Sequence, residues 1–96
     1  MPVKKAPKTY RLSGKAVRSL DQFYDEMALL FRFPEHFGRN LDALWDVLTA
    51  EVQGPVELIW EESAVSKKTL GKDYARLAAL LRDVEKERGD FTVRFR

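Results

Sequence analysis

The chain has 96 residues, 45% hydrophobic and 33% charged, with a formal net charge of +2 and no cysteine. That much apolar content argues against a disordered chain, and without thiols there are neither disulfides nor thiolate metal sites. No stretch approaches the ~18 apolar residues of a membrane-spanning helix or forms the ~7–15-residue apolar core of a secretory signal, so one cytoplasmic domain is the expectation.

Residues 1–8, with "KKAPK" at their centre, read as a flexible basic lead-in to a single domain over 9–96. "TYRLS" turns Tyr10 and Leu12 inward and Arg11 outward, a short strand ending at Gly14. "SLDQFYDEMALLFRF" spaces Leu20, Phe23, Tyr24, Met27, Leu30 and Phe31 as one face of a helix, with Ser19 as its N-cap and Pro34 as its stop. Gly38 then supplies a turn, and Asn40 is suited to cap a helix reaching Val52. Along that helix Leu41, Leu44, Leu48 and Val52 form an apolar stripe with Trp45 at its margin. Asp42, Asp46 and Thr49 share the flank beside Trp45, and Glu51 falls on the opposite side from Asp46. "GPVELIW" is a buried strand behind a Gly-Pro turn, and "ESAVSKKTL" is a short helix closed by Gly71. "DYARLAALLRDVEKER" is the most regular helix, capped by Asp73, lined by Leu77, Leu80, Leu81 and Val84, and ended by Gly89. "FTVRFR" alternates as a final strand. The order β-α-α-β-α-α-β predicts an α/β fold with a three-stranded parallel sheet and packed helices.

Charge is distributed unevenly along these elements. Residues 1–19 carry six basic side chains and no acid, whereas residues 20–62 carry ten acids against Arg32 and Arg39. A segment that acidic attracts basic partners and repels nucleic acid. The lone His36 beside Glu35 lacks a second histidine, a cysteine nucleophile or an oxyanion motif, so no catalytic residue is assigned and His36 reads as a loop or binding contact. The spacings of metal sites and of phosphate-binding glycine loops are absent too, and neither metal nor cofactor is expected. The basic N-terminus and the basic-aromatic "FTVRFR" leave a nucleic-acid-binding module as a rival reading. Against it, no RNA- or DNA-binding signature accompanies them. On the helix after Asn40, Asp42 helps its dipole, but Asp46 lies a turn further in. Two like charges four residues apart cost a few tenths of a kcal/mol.

The literal sequence "PEHFGRNLDALWD", with "GKAVRSLDQFY", "GPVELIW" and "ERGDFTV" around it, resembles the barstar family of intracellular inhibitors of the ribonuclease barnase. The resemblance spans roughly residues 10–95 and implies a barstar-like fold. It also implies a mode of action: a helix and its preceding loop plug a ribonuclease active site, carboxylates standing in for RNA phosphates. Carried over, Asp42 and Asp46 match the two principal acidic contacts, with Gly38, Asn40, Leu41 and Trp45 in the same surface and Asp83 where the family has a glutamate. His36 replaces a tyrosine that packs on the enzyme, Arg39 replaces an acid beside the site, and Glu51 stands near a family tryptophan. A changed rim around retained anchors implies a ribonuclease other than barnase. The resemblance therefore implies one basic, barnase-like ribonuclease bound one-to-one by a protein that is a monomer when free, without direct contact to nucleic acid or membrane. A barstar-fold domain that binds some other basic protein and inhibits nothing is the remaining alternative.

Overall fold

Alternating apolar residues build the sheet from three short strands in the computed structural model, which describes residues 6–96. Strand β1 (Lys8–Ser13), β2 (Val56–Glu61) and β3 (Phe91–Phe95) pair side by side in that order, both pairs parallel. Register places Tyr10, Leu58 and Val93 in one row and Leu12, Trp60 and Phe95 in the next, all on one face. Most of the expected 1–8 lead-in falls outside the described residues, but Lys8 already belongs to β1, opposite Val56. Four helices, α1 (Leu20–Phe31), α2 (Leu41–Asp46), α3 (Ser63–Leu70) and α4 (Lys72–Glu87), complete the expected element order.

Each of the four helices contributes buried apolar residues to a single cluster or packs them against it, on that inward face. Trp60, Phe23, Tyr24, Met27, Leu44, Leu48, Leu77 and Leu81 lie in it, essentially without solvent contact. Trp60 Nε1 donates to Ser66 Oγ, which donates in turn to the Gly14 carbonyl, so the polar atom of the largest core side chain is satisfied. The other face of the sheet stays polar. Ile59 is nonetheless only 4% exposed, set between Arg11 and Arg94 at the same register.

Several local details differ from the sequence reading. Ser19 caps α1 as expected, accepting from the Gln22 amide at 3.1 Å. The helix ends, however, at Arg32, left-handed at φ 53°, two residues before Pro34. Gly38 is not the residue that turns the chain into α2; Arg39 takes the left-handed conformation at φ 52°. Asp73 lies inside the first turn of α4 and does not cap it, because Gly71 at φ 57° swings the chain directly from α3 into α4. Nor is the helix after Asn40 uniformly α: from Val47 to Glu51 it widens into a π-type turn. Among the described residues no helix is long and apolar enough to cross a membrane.

Candidate functional site

The acidic helix is fixed at its start by Asn40. Its Oδ1 accepts from the Ala43 amide at 2.8 Å while its carbonyl accepts from Leu44 at 2.9 Å, satisfying two donors at the helix N-terminus. Asn40 Nδ2 reaches back to the Gly38 carbonyl at 3.2 Å and ties the preceding loop to the cap. That loop is held from beneath by Phe37, whose ring meets Phe33 at 4.8 Å and Tyr24 edge-on at 5.6 Å. With Phe37 turned inward, His36 and Gly38 are left exposed beside the helix. A Cβ on Gly38 would sit 3.3 Å from both Ala43 Cβ and Asn40 Nδ2, a tight contact that would ask the loop or the cap to shift by a few tenths of an ångström.

Leu44 and Leu48 anchor α2 and its wide turn in the core, and Leu41, Trp45 and Val52 are half-buried at its margin. Val47, absent from the expected stripe, is buried as well. The Thr49 hydroxyl donates to the Trp45 carbonyl at 2.7 Å, so Thr49 is occupied by its own helix. Asp42 and Asp46 are exposed and line two different depressions. Asp46 lines a groove of about 280 Å³ with His36, Phe37 and Gly38 on the loop side and Ala43, Val47 and Glu51 on the helix side. Asp42 lines a shallower depression with Tyr24, Arg39, Asn40 and Leu41. Burial pushes the Tyr24 phenol above its ordinary value, with Asp73 adding to that and Arg39 opposing it.

Arg39 stands three residues before Asp42 in sequence, and its guanidinium is committed elsewhere. It bonds Asp25 at 2.9 Å and the Asp21 carbonyl and carboxylate at 3.0 and 3.3 Å, all on α1. Its hydrogen bonds to Asp25 and then to Asp21 hold its pKa above the usual arginine value. Among the described residues neither Asp42 nor Asp46 has a cationic nitrogen within 4 Å. Asp83 is exposed on α4, the helix that α2 packs against, but lines neither depression. Among the described residues there is no group of three or more His, Asp or Glu able to hold a metal ion.

Two residues that matter here are not assigned by the sequence pattern. Glu51 does not lie opposite Asp46; it lines the same groove. Arg88 closes the far end of the wide turn, with Nη1 donating to the Leu48 and Val52 carbonyls at 2.7 and 2.6 Å. Asp90 grips the same guanidinium at 2.8 and 2.9 Å, and Arg88 in turn holds the Asp90 carboxyl below its ordinary pKa. A Cβ at Gly54 would meet the Asp90 carboxylate and the Arg88 guanidinium, so a side chain there would displace this ion pair. The sequence does hold one signal. Glu51 follows Leu44 by seven positions, and an unbroken α-helix would return it to the core face.

Comparison with known proteins bears on this arrangement. Residues 8–96 match the family described as Barstar (barnase inhibitor). The chain is also 29% identical over 79 residues to the YrdF protein of Bacillus subtilis (strain 168), provisionally named a ribonuclease inhibitor. That match covers 82% of this chain and 87% of the relative.

Proposed function

The chain belongs to the barstar family, and from that premise we propose that it is a cytoplasmic inhibitor of a basic ribonuclease, bound one-to-one. It acts by occupying the enzyme's active site and catalyses nothing. The partner-facing surface comprises His36, Gly38, Arg39, Asn40 and Leu41 with Asp42, Trp45 and Asp46, and Asp83 contributes at its edge.

One observation carries this reading. Asp42 and Asp46 are exposed, four residues apart, and without a cation within 4 Å among the described residues, while the adjacent Arg39 is drawn off to Asp21 and Asp25. The arrangement costs the free helix a little and leaves a negative face ready for desolvation against positive groups. A ribonuclease active site offers such groups because it binds phosphates. Carboxylates at that spacing mimic the charge of the RNA backbone without offering a bond to cleave. Half-buried Trp45 gives the same surface an aromatic anchor on a rigid helix, as interface centres commonly have.

The rival reading, a nucleic-acid module, has less to draw on. The aromatics of the last strand, Phe91 and Phe95, pack into or against the core, and Arg94 and Arg11 are held by Glu57 and Glu61.

The test is a titration of barnase, and of small basic ribonucleases similar to it, with cleavage of a fluorescent RNA oligonucleotide as readout. Activity should fall linearly to a break at one equivalent for at least one enzyme, and the apparent inhibition constant should rise with RNA concentration. Inhibition insensitive to RNA concentration would contradict active-site occupation. No inhibition of any enzyme would leave a protein-interaction domain that is not an inhibitor.

A further inference from the structure

The wide turn at the end of the acidic helix changes which side chains face the groove. The Val52 amide bonds the Val47 carbonyl at 3.0 Å, one residue further back than an α-helix allows. The Leu48 carbonyl thereby loses its helical donor, and Arg88 supplies the replacement at 2.7 Å together with a bond to Val52 at 2.6 Å. The Arg88 side chain is only 12% exposed and is clamped by Asp90, so the replacement is built in. With fewer degrees of rotation per residue across this turn, Glu51 stops short of the core face. It emerges on the groove instead, together with Asp46.

We propose that Glu51 is a further docking carboxylate of this chain, aimed by the Arg88-held turn, and that it receives a lysine or arginine side chain of the ribonuclease at the outer end of the groove. The inference rests on the inhibitor reading above and adds to it a residue that sets partner preference. Charge complementarity names the occupant. Glu51 and Asp46 have no cationic partner within 4 Å among the described residues, while Phe37, Ala43 and Val47 line the groove between them with apolar surface. A long basic side chain satisfies both features, its methylenes on the apolar wall and its charge at the carboxylates. A neutral or acidic side chain would leave two carboxylates desolvated without compensation. Arg88 touches no partner in this scheme; it is a positioning residue.

The experiment measures binding of the full chain and four variants (Glu51→Gln, Arg88→Met, the double variant of these two, and Asp46→Ala) to whichever enzyme the wild type inhibits best in the barnase panel. Glu51→Gln keeps the shape and removes the charge, and binding should weaken roughly 3- to 10-fold, between the effect of an exposed and of a buried ion pair. Arg88→Met should weaken binding by a similar factor. In the double variant the losses should not multiply, because Arg88 acts through Glu51. Circular dichroism and thermal melting report whether Arg88→Met still folds; if it does not, Glu51→Gln alone decides. Wild-type binding by Glu51→Gln, with Asp46→Ala still impaired, overturns the role of Glu51 and spares the inhibitor reading. Multiplying losses in the double variant overturn the positioning role of Arg88. No inhibition by the wild type overturns both readings together.

Discussion

Two regions of this small protein carry acids at the surface, and they treat them in opposite ways. On the outer face of the sheet, Glu57 is bound by Arg94 at 2.8 Å and by the Thr9 hydroxyl at 3.2 Å, and Glu61 lies 3.4 Å from Arg11. On α2, Asp42 and Asp46 have no such partner among the described residues, although the nearest arginine is only three residues from Asp42. The sheet face answers its own charges across neighbouring strands. The helix face keeps its charges and sends Arg39 to α1. Composition alone does not separate the two; the direction in which each arginine is held does. A charge left unanswered by its own fold is the one a partner can use.

Two experiments sharpen that contrast, the larger effect first. If the helix acids steer a basic enzyme, its association rate should drop by about 10-fold or more between low and high salt. Exposed charges are screened beyond ~8 Å at physiological ionic strength, so the fall should be well under way there. Stopped-flow mixing measures it, and a rate flat in salt would remove steering from the account. Arg94→Gln tests the other face. The pair it breaks is partly exposed, with Glu57 at 25%, so thermal stability should fall by no more than about 1 kcal/mol. Ribonuclease binding should not change. A large binding loss from Arg94→Gln would mean that the sheet face also meets the partner, and the contrast would fail.

Much of the fold is legible in the amino-acid sequence. Period-two alternation marks the inward rows of β1 and β3, and both side-chain caps, Ser19 and Asn40, stand where their residue types and the following apolar pattern predict. The α/β order with a parallel sheet follows from strands spaced by helices. What escapes depends on contacts far apart in the chain. The wide turn is held by Arg88, 36 and 40 residues from the carbonyls it binds, and local periodicity has no access to that. Arg39, by its place in the sequence, should dilute the acidic field beside Asp42. Its left-handed backbone and its reach to Asp21 and Asp25 depend on how α1 packs, not on its own neighbours. Asp73 fails as a cap because Gly71 joins two helices with no intervening loop. The candidate site is thus legible as a set of residue types on one helix. Its outline, with Glu51 turned into the groove and Thr49 bonded to Trp45, is not.

The central claim is that the α2 carboxylates serve a partner and not the fold, and Asp46→Ala measures both halves at once. In the free protein the change removes one of two like charges and places a stronger helix former in the helix, so the melting temperature should hold or rise slightly. In complex with an inhibited ribonuclease it strands buried cationic groups, at a cost of about 2–5 kcal/mol, a range taken from interfacial charge pairs that include the barnase–barstar complex and not from this chain. Binding should therefore weaken by at least ~30-fold, mainly through faster dissociation, with melting unchanged. Undiminished inhibition by Asp46→Ala, or a variant that unfolds, would contradict the account.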